Sequence, residues 1–324
     1  MRAVTFIILL FSCIPNSTFA QSETNPQLDT IDQILVVDNY SNEDGFILYL
    51  PIDQCEGDTL DLIVFLHGYG AINPMVYGGW IEHLVSKGNA VLYPRYQMSM
   101  FTTSTDDFVP NTVNAINSAY GLAENCDYHL NPNTVDMIGH SYGGVIAGNL
   151  AATYMDNGIP APRLVMLCEP GSGPLSGAVL DSYEGINNEI ILVIVVGDKD
   201  YTVGQKLGLI VYETATKNEN RMLFWQFEDE HEEENIGASH YEPYSYDSRF
   251  DNDIENFTVK RAKGVSHLDQ VDFYGYWQTF NLLQKHAIDG AGNVDTILID
   301  QMSNLGKWSD GTPVKAMEWR QGGK

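Results

Sequence analysis

Eight short apolar runs punctuate the chain, at residues 33–40, 45–50, 62–66, 90–93, 134–138, 164–168, 190–196 and 222–227. Several are unbroken; from Ile190 to Val196 there is no polar residue. A strand apolar on both faces is buried on both faces, so these runs predict a mostly parallel sheet covered by helices. Stretches with helical character lie between them, at 74–87, 111–124, 144–155, 205–215 and 268–286. Residues 257–260 read as one further short strand. This alternation predicts an α/β fold, a mostly parallel doubly wound sheet of about eight strands with helices on both faces. The stretch 171–188 is short and rich in Gly and Ser, which predicts an open cleft with no large lid.

The first twenty residues have a different pattern. Arg2 precedes an apolar run from Val4 to Phe11, and Thr18-Phe19-Ala20 offers a small-x-small cleavage site. This predicts a secretory signal peptide over 1–20 and a secreted or periplasmic chain. Lipoprotein anchoring at Cys13 is the alternative. The run is shorter than the ~20 residues a membrane-spanning helix needs, so no membrane span is expected. Residues 21–324 then form a single domain with a C-terminal extension after about 287. Export permits a disulfide. Cys55 and Cys126, in polar surroundings, are the pair that could form one, and Cys168 reads as a buried thiol.

Charge narrows the partners. Lys and Arg total 17 against 43 Asp and Glu, a formal net charge of −26. Nucleic acid and anionic lipid both demand a basic face, so neither is an expected partner. The densest acidic run, from Glu228 to Glu234, reads as a solvated loop and lacks the alternating ligand spacing of a calcium loop.

The chemistry begins at Gly139-His140-Ser141-Tyr142-Gly143-Gly144, which follows the fifth predicted strand and opens a helix. A serine in a tight strand-to-helix turn projects its hydroxyl above the sheet edge, and the turn leaves no room for side chains two residues to either side. The helix start aims N–H groups at the same point. Acyl transfer also needs two backbone donors for the oxyanion. One falls to Tyr142, after the serine. The other falls to Tyr69, in the His67-Gly68-Tyr69-Gly70 turn after the third strand.

A serine becomes nucleophilic when an imidazole takes its proton and an acid orients that imidazole. The turn Gly197-Asp198-Lys199-Asp200 supplies the acid; Asp200 lies farther along it, and Asp198 braces the turn. Glu169 is a further candidate. Two histidines compete as base: His240 after the last strand, and His267 before the last helix.

Taken in the order Ser141, Asp200, His, with His67-Gly68 ahead of them, these motifs resemble the α/β-hydrolase superfamily over roughly 62–287. Within it the chain is similar to the secreted lipase/esterase-like branch near dienelactone hydrolases and bacterial polyesterases. That branch carries a G-x-S-H or A-D-H segment after its final strand, so Gly237-Ala238-Ser239-His240 implies His240 as base. Residues 272–277 and 308–314 also resemble uncharacterised bacterial hydrolases of this branch. The insert between His240 and the last helix departs from the pattern and keeps His267 in play. The resemblance implies a cofactor-free, metal-free serine hydrolase acting on a small-molecule or accessible polymeric ester. An amidase, peptidase or acyltransferase, or a non-catalytic binding protein on the same fold, are the competing readings.

Overall fold

A computed structural model describes residues 26–41, 45–52, 59–101, 104–173, 175, 179–231, 233–290 and 292–323. The predicted leader, Cys13 and Cys55 lie outside the described residues. Cys126 is partly buried, and Cys168 is fully buried among apolar side chains.

The N-terminal strands β1 (Gln27–Ile31), β2 (Ile34–Asp38) and β3 (Phe46–Pro51) form an antiparallel meander. A two-residue strand β4 (Thr59–Leu60) precedes β5 (Leu62–Leu66). A 3₁₀ turn and helix α1 (Gly78–Ser86) lead to β6 (Ala90–Pro94), and α2 (Phe108–Asn125) follows. Strand β7 (His129–Leu130) pairs with β4 in a small separate ladder. Then come β8 (Thr134–His140), α3 (Tyr142–Asn157), β9 (Ala161–Cys168), β10 (Ile191–Gly197), α4 (Lys206–Thr214) and β11 (Arg221–Gln226). The hairpin β12 (Asp229–His231) and β13 (Glu234–Ile236) precedes α5 (Phe257–Val265), α6 (Gln278–Ile288), α7 (Thr296–Ser303) and β14 (Glu318–Gln321).

The main sheet runs β1-β2-β3-β6-β5-β8-β9-β10-β11-β14. From β6 to β11 every neighbouring pair is parallel. The two-residue period of the strands divides the core. In β5, Ile63 and Phe65 face a cluster built with α1, α5, α6 and α7, while Leu62, Val64 and Leu66 face α2, α3 and α4. Strand β10 divides the same way: Ile191, Val193 and Val195 face one cluster and Leu192, Ile194 and Val196 the other. Burying a side chain such as Leu or Phe stabilises the fold by ~1.5–3 kcal/mol, which is why this pattern governs the architecture.

Two expectations gain detail and two change. The eight expected strands stand side by side in the main sheet, and two polar edge strands, β1 and β14, flank them. Residues after 287 add α7 and close the sheet with β14. The acidic run is not a plain loop. Its described part makes the β12–β13 hairpin, where Asp229 accepts hydrogen bonds from Trp308 and the Lys315 N–H, and His231 meets Asp310. Finally, residues 257–260 open a helix. Asn256 accepts the Val259 N–H as an N-cap. Thr258, Val259 and Ala262 then share its buried face at helical spacing. The last predicted helix also begins with a π-helical stretch over Val271–Trp277 before α6.

Among the described residues no helix is long and apolar enough to cross a membrane.

Candidate functional site

Ser141 sits between β8 and α3 with φ 56° and ψ −120°, a backbone state that ordinary residues avoid. Its surroundings hold it there. The Ser141 N–H donates to the Cys168 carbonyl at the end of β9, and its own carbonyl accepts from Gly144 and Gly171. The flanking glycines are sterically required. A Cβ on Gly139 would lie 2.4 Å from the Gly143 carbonyl oxygen, and one on Gly143 would lie 2.0 Å from that of Leu66. The hydroxyl is therefore presented above the sheet edge.

Two distant segments converge on it. His240 Nε2 is 2.9 Å from Ser141 Oγ, and its Nδ1 is 2.8 Å from Asp200 Oδ2. The Asp200 Oδ1 accepts the N–H groups of Thr202 and Val203. Burial pushes this carboxyl upward, but the hydrogen bond and charge of His240 and the two backbone donors outweigh it and hold it below its ordinary value. Asp200 thus orients the imidazole and stays ionised beside it.

The other candidates stand elsewhere. Asp198 accepts the Glu228 N–H and lies 3.8 Å from Lys199, bracing the turn. Glu169 is wholly buried behind the site, where its Oε1 accepts from the Tyr276 hydroxyl. Desolvation pushes its carboxyl well above its ordinary value against the opposing effect of that bond, which favours its neutral form. His267 is largely exposed and pairs with Asp269 at 3.2 Å; it does not bond Ser141. His67 is buried, with Nδ1 2.8 Å from the Gly68 carbonyl, and desolvation lowers its pKa to about 4. It is a neutral structural residue of its loop.

Tyr69, on the loop after β5, and Tyr142, the first residue of α3, line one cleft with Ser141. In that loop the Gly68 N–H goes to the Tyr77 hydroxyl and the Gly70 N–H to Gln97 Oε1. The cleft, about 240 Å³, is walled mainly by apolar and aromatic groups, Leu175, Val203, Tyr241 and Phe257 among them. Tyr201 is 86% exposed and does not line it. One wall is α5, inside the insert whose sequence gave no sign of its place. Sequence reasoning also missed His140 and Tyr77 beneath the site. His140 was in view as the variable position of the serine motif; nothing local marked Tyr77. No group of three His, Cys, Asp or Glu side chains arranged to hold a metal occurs among the described residues.

Strand order and the serine turn are those of the α/β-hydrolase fold. A family model described as Chlorophyllase matches residues 17–177, just under half of the chain. No curated protein matches the chain in sequence. Among solved structures, it is similar to fungal esterases from Rhizomucor miehei at 12% identity and TM-score 0.49, covering 82% of this chain and 84% of that one. An α/β hydrolase from a Medee basin deep-sea metagenome library gives 16% identity and TM-score 0.47, covering 61% of this chain and 82% of the other. Carboxyl esterase 2 of the mycorrhizal fungus Tuber melanosporum gives 16% and 0.46, covering 65% and 78%.

Proposed function

We propose that the protein is a secreted serine hydrolase of carboxylic esters. The observation that carries this reading is the continuous contact from Ser141 Oγ through His240 to Asp200, at 2.9 and 2.8 Å. The match of residues 17–177 to the family model described as Chlorophyllase orients it toward esters. Export fits the leader pattern of residues 1–20.

On this reading Ser141 attacks the ester carbonyl while His240 takes its proton. The tetrahedral oxyanion is met by the N–H groups of Tyr69 and Tyr142; one such donor is worth ~10²–10³ in rate. His240 then returns the proton to the leaving alcohol, and the acyl-enzyme forms. Water, deprotonated by the same imidazole, releases the acid. Asp200 holds the ring in the Nδ1–H tautomer and stabilises the transient imidazolium. A cleft of about 240 Å³ is smaller than the ~300–1,000 Å³ pockets that enclose a whole ligand, so it takes the reacting end of an ester and leaves the rest outside. That suits short acyl groups or an accessible polymer.

Hydrolysis of a p-nitrophenyl ester series by the mature chain tests the reading. Turnover should favour short acyl chains and fall about 10⁶-fold in Ser141→Ala with the fold intact. Turnover undiminished in Ser141→Ala overturns it. Faster cleavage of a matched amide than of the ester moves the protein to the amidase reading.

A further inference from the structure

Beneath the serine, three segments far apart in sequence are joined by one chain of hydrogen bonds. His140, adjacent to Ser141, is fully buried. Its Nε2 lies 2.8 Å from the backbone carbonyl of His240. A carbonyl only accepts, so Nε2 carries the hydrogen. Desolvation holds the His140 imidazole well below its ordinary pKa, so the ring is neutral and its Nδ1 offers a lone pair. The Tyr77 hydroxyl is 2.8 Å from that Nδ1 and must donate to it. The oxygen of the same hydroxyl accepts the Gly68 N–H at 2.9 Å. Each bond thus fixes the direction of the next: Gly68 N–H to Tyr77, Tyr77 O–H to His140, His140 N–H to the His240 carbonyl.

Both ends of this chain belong to the site. Gly68 immediately precedes Tyr69, and the accepting carbonyl belongs to the residue whose ring meets Ser141. The Tyr244 ring stands edge-on to Tyr77 and to His140, at 5.6 and 5.5 Å between centroids, and fixes both rings. His240 itself lies in a loop outside any helix or strand, so its own segment supplies no ladder to hold it.

We infer that Tyr77 and His140 are positioning residues that tie the Gly68–Tyr69 loop to the His240 loop and so set the imidazole and the oxyanion donor in one frame around Ser141. The inference rests on the serine-hydrolase reading for its kinetic consequence, and on the hydrogen-bond chain and the burial of His140 for its tautomer. A misplacement of about 1 Å in a reacting group costs ~10²-fold in rate. Loss of the Tyr77 hydroxyl should therefore act on kcat and leave substrate binding alone.

Tyr77→Phe removes one oxygen atom. Tyr40→Phe is the matched control, since the buried Tyr40 hydroxyl donates to the Ile72 carbonyl away from the reacting groups. Turnover of p-nitrophenyl acetate would be expressed per active site titrated with a fluorophosphonate, so that unfolded protein is not counted. Tyr77→Phe should lose about 10²-fold in kcat with KM unchanged, while Tyr40→Phe keeps the parent kcat although both lose thermal stability. Equal kcat per titrated site in both variants overturns the inference. So does a Tyr77→Phe defect confined to KM.

A second measurement stands apart from activity and needs no variant to fold. Imidazole ¹⁵N shifts of the wild-type chain should show His140 neutral and protonated at Nε2. Protonation at Nδ1 overturns the inference even in an active enzyme. A chain with the Nε2–H tautomer but no esterase activity overturns the ester-hydrolase reading and, with it, the kinetic role assigned to Tyr77.

Discussion

The turn that carries Ser141 and the loop that carries His240 meet at one hydrogen bond, yet they are held in opposite ways. The serine turn is specified mainly by its own residues, with Cys168 at the end of β9 and Gly171 just beyond it bonding its backbone. Gly139, Gly143 and the start of α3 leave its backbone one way to pass between β8 and the helix, at φ 56°. The His240 loop is fixed from afar. Ala238 accepts the Lys199 N–H, Gly237 accepts from Gln226, and the His240 carbonyl accepts from His140. Ser245, at the end of the same loop, is bonded through its backbone to Val76 and Gly79. A turn specified by its own residues tolerates change elsewhere and fails on a single methyl within. A loop specified by its neighbours fails when a distant partner is removed.

The largest expected effect breaks the long-range side. Asp200→Asn keeps the shape but lets the amide donate, which favours the wrong His240 tautomer; kcat on esters should fall ~10⁴-fold with the melting temperature little changed. A fall below tenfold would move the acid elsewhere.

The local side breaks through volume. In Gly143→Ala the new methyl would meet the Leu66 carbonyl at 2.0 Å, and β5 is clamped between β6 and β8. Urea unfolding should show a loss of about 4–5 kcal/mol or more. Gly121→Ala, in α2 with nothing within 4 Å, is the contrast and should stabilise by ~0.5–1 kcal/mol.

Glu169 sharpens the comparison, because it leaves β9 beside the serine turn but is held by Tyr276 from the distant π-helical stretch before α6. Its folded carboxyl is raised, so the folded state binds the proton more tightly than the unfolded chain. The contribution of this one group is therefore greatest at acid pH and is lost as pH rises above about 4.5, with a slope approaching ~1.4 kcal/mol per pH unit until the folded carboxyl ionises. Glu169→Gln keeps an acceptor for Tyr276 and removes the titration. It should be more stable than the parent at neutral pH, and the gap should close toward pH 4 in paired urea titrations. A gap independent of pH would mean that Glu169 is ionised in the fold.

The smallest effects test what stands outside the site. Asp198→Asn weakens the turn through its bond to Glu228 and should cost ~1 kcal/mol of stability with kcat retained. His267→Ala should leave ester turnover at the parent level; loss of turnover there would return the base to His267.

The same contrast explains what the sequence disclosed. Strands buried on both faces, such as 190–196, carry their assignment in consecutive apolar residues, and all eight apolar runs lie in sheet strands. Ser141 and its glycines were legible because the turn's steric demands are written within six residues. Asp200 followed from its place beyond a strand end. The choice between His240 and His267 was open on spacing alone, because long-range bonds to Gln226, Lys199 and His140 decide which loop faces the serine. Tyr77 was invisible for the same reason. Residues 257–260 misled because alternating Phe, Thr and Val mimic a strand, and the Asn256 cap that makes a helix of them is a single side chain. The edge strands β1 and β14 escaped because β1 is exposed on both faces and β14 on one, so neither needs an apolar run.

The central claim is that His240 activates Ser141. Its most direct test is the rate and position of fluorophosphonate labelling, mapped by peptide mass spectrometry, in the parent and in His240→Ala. A single adduct on Ser141 is expected in the parent, with labelling slowed by about 10³-fold or more in the variant, since an unassisted serine hydroxyl is a weak nucleophile. An adduct on another residue, or labelling of Ser141 at an undiminished rate in His240→Ala, would contradict it.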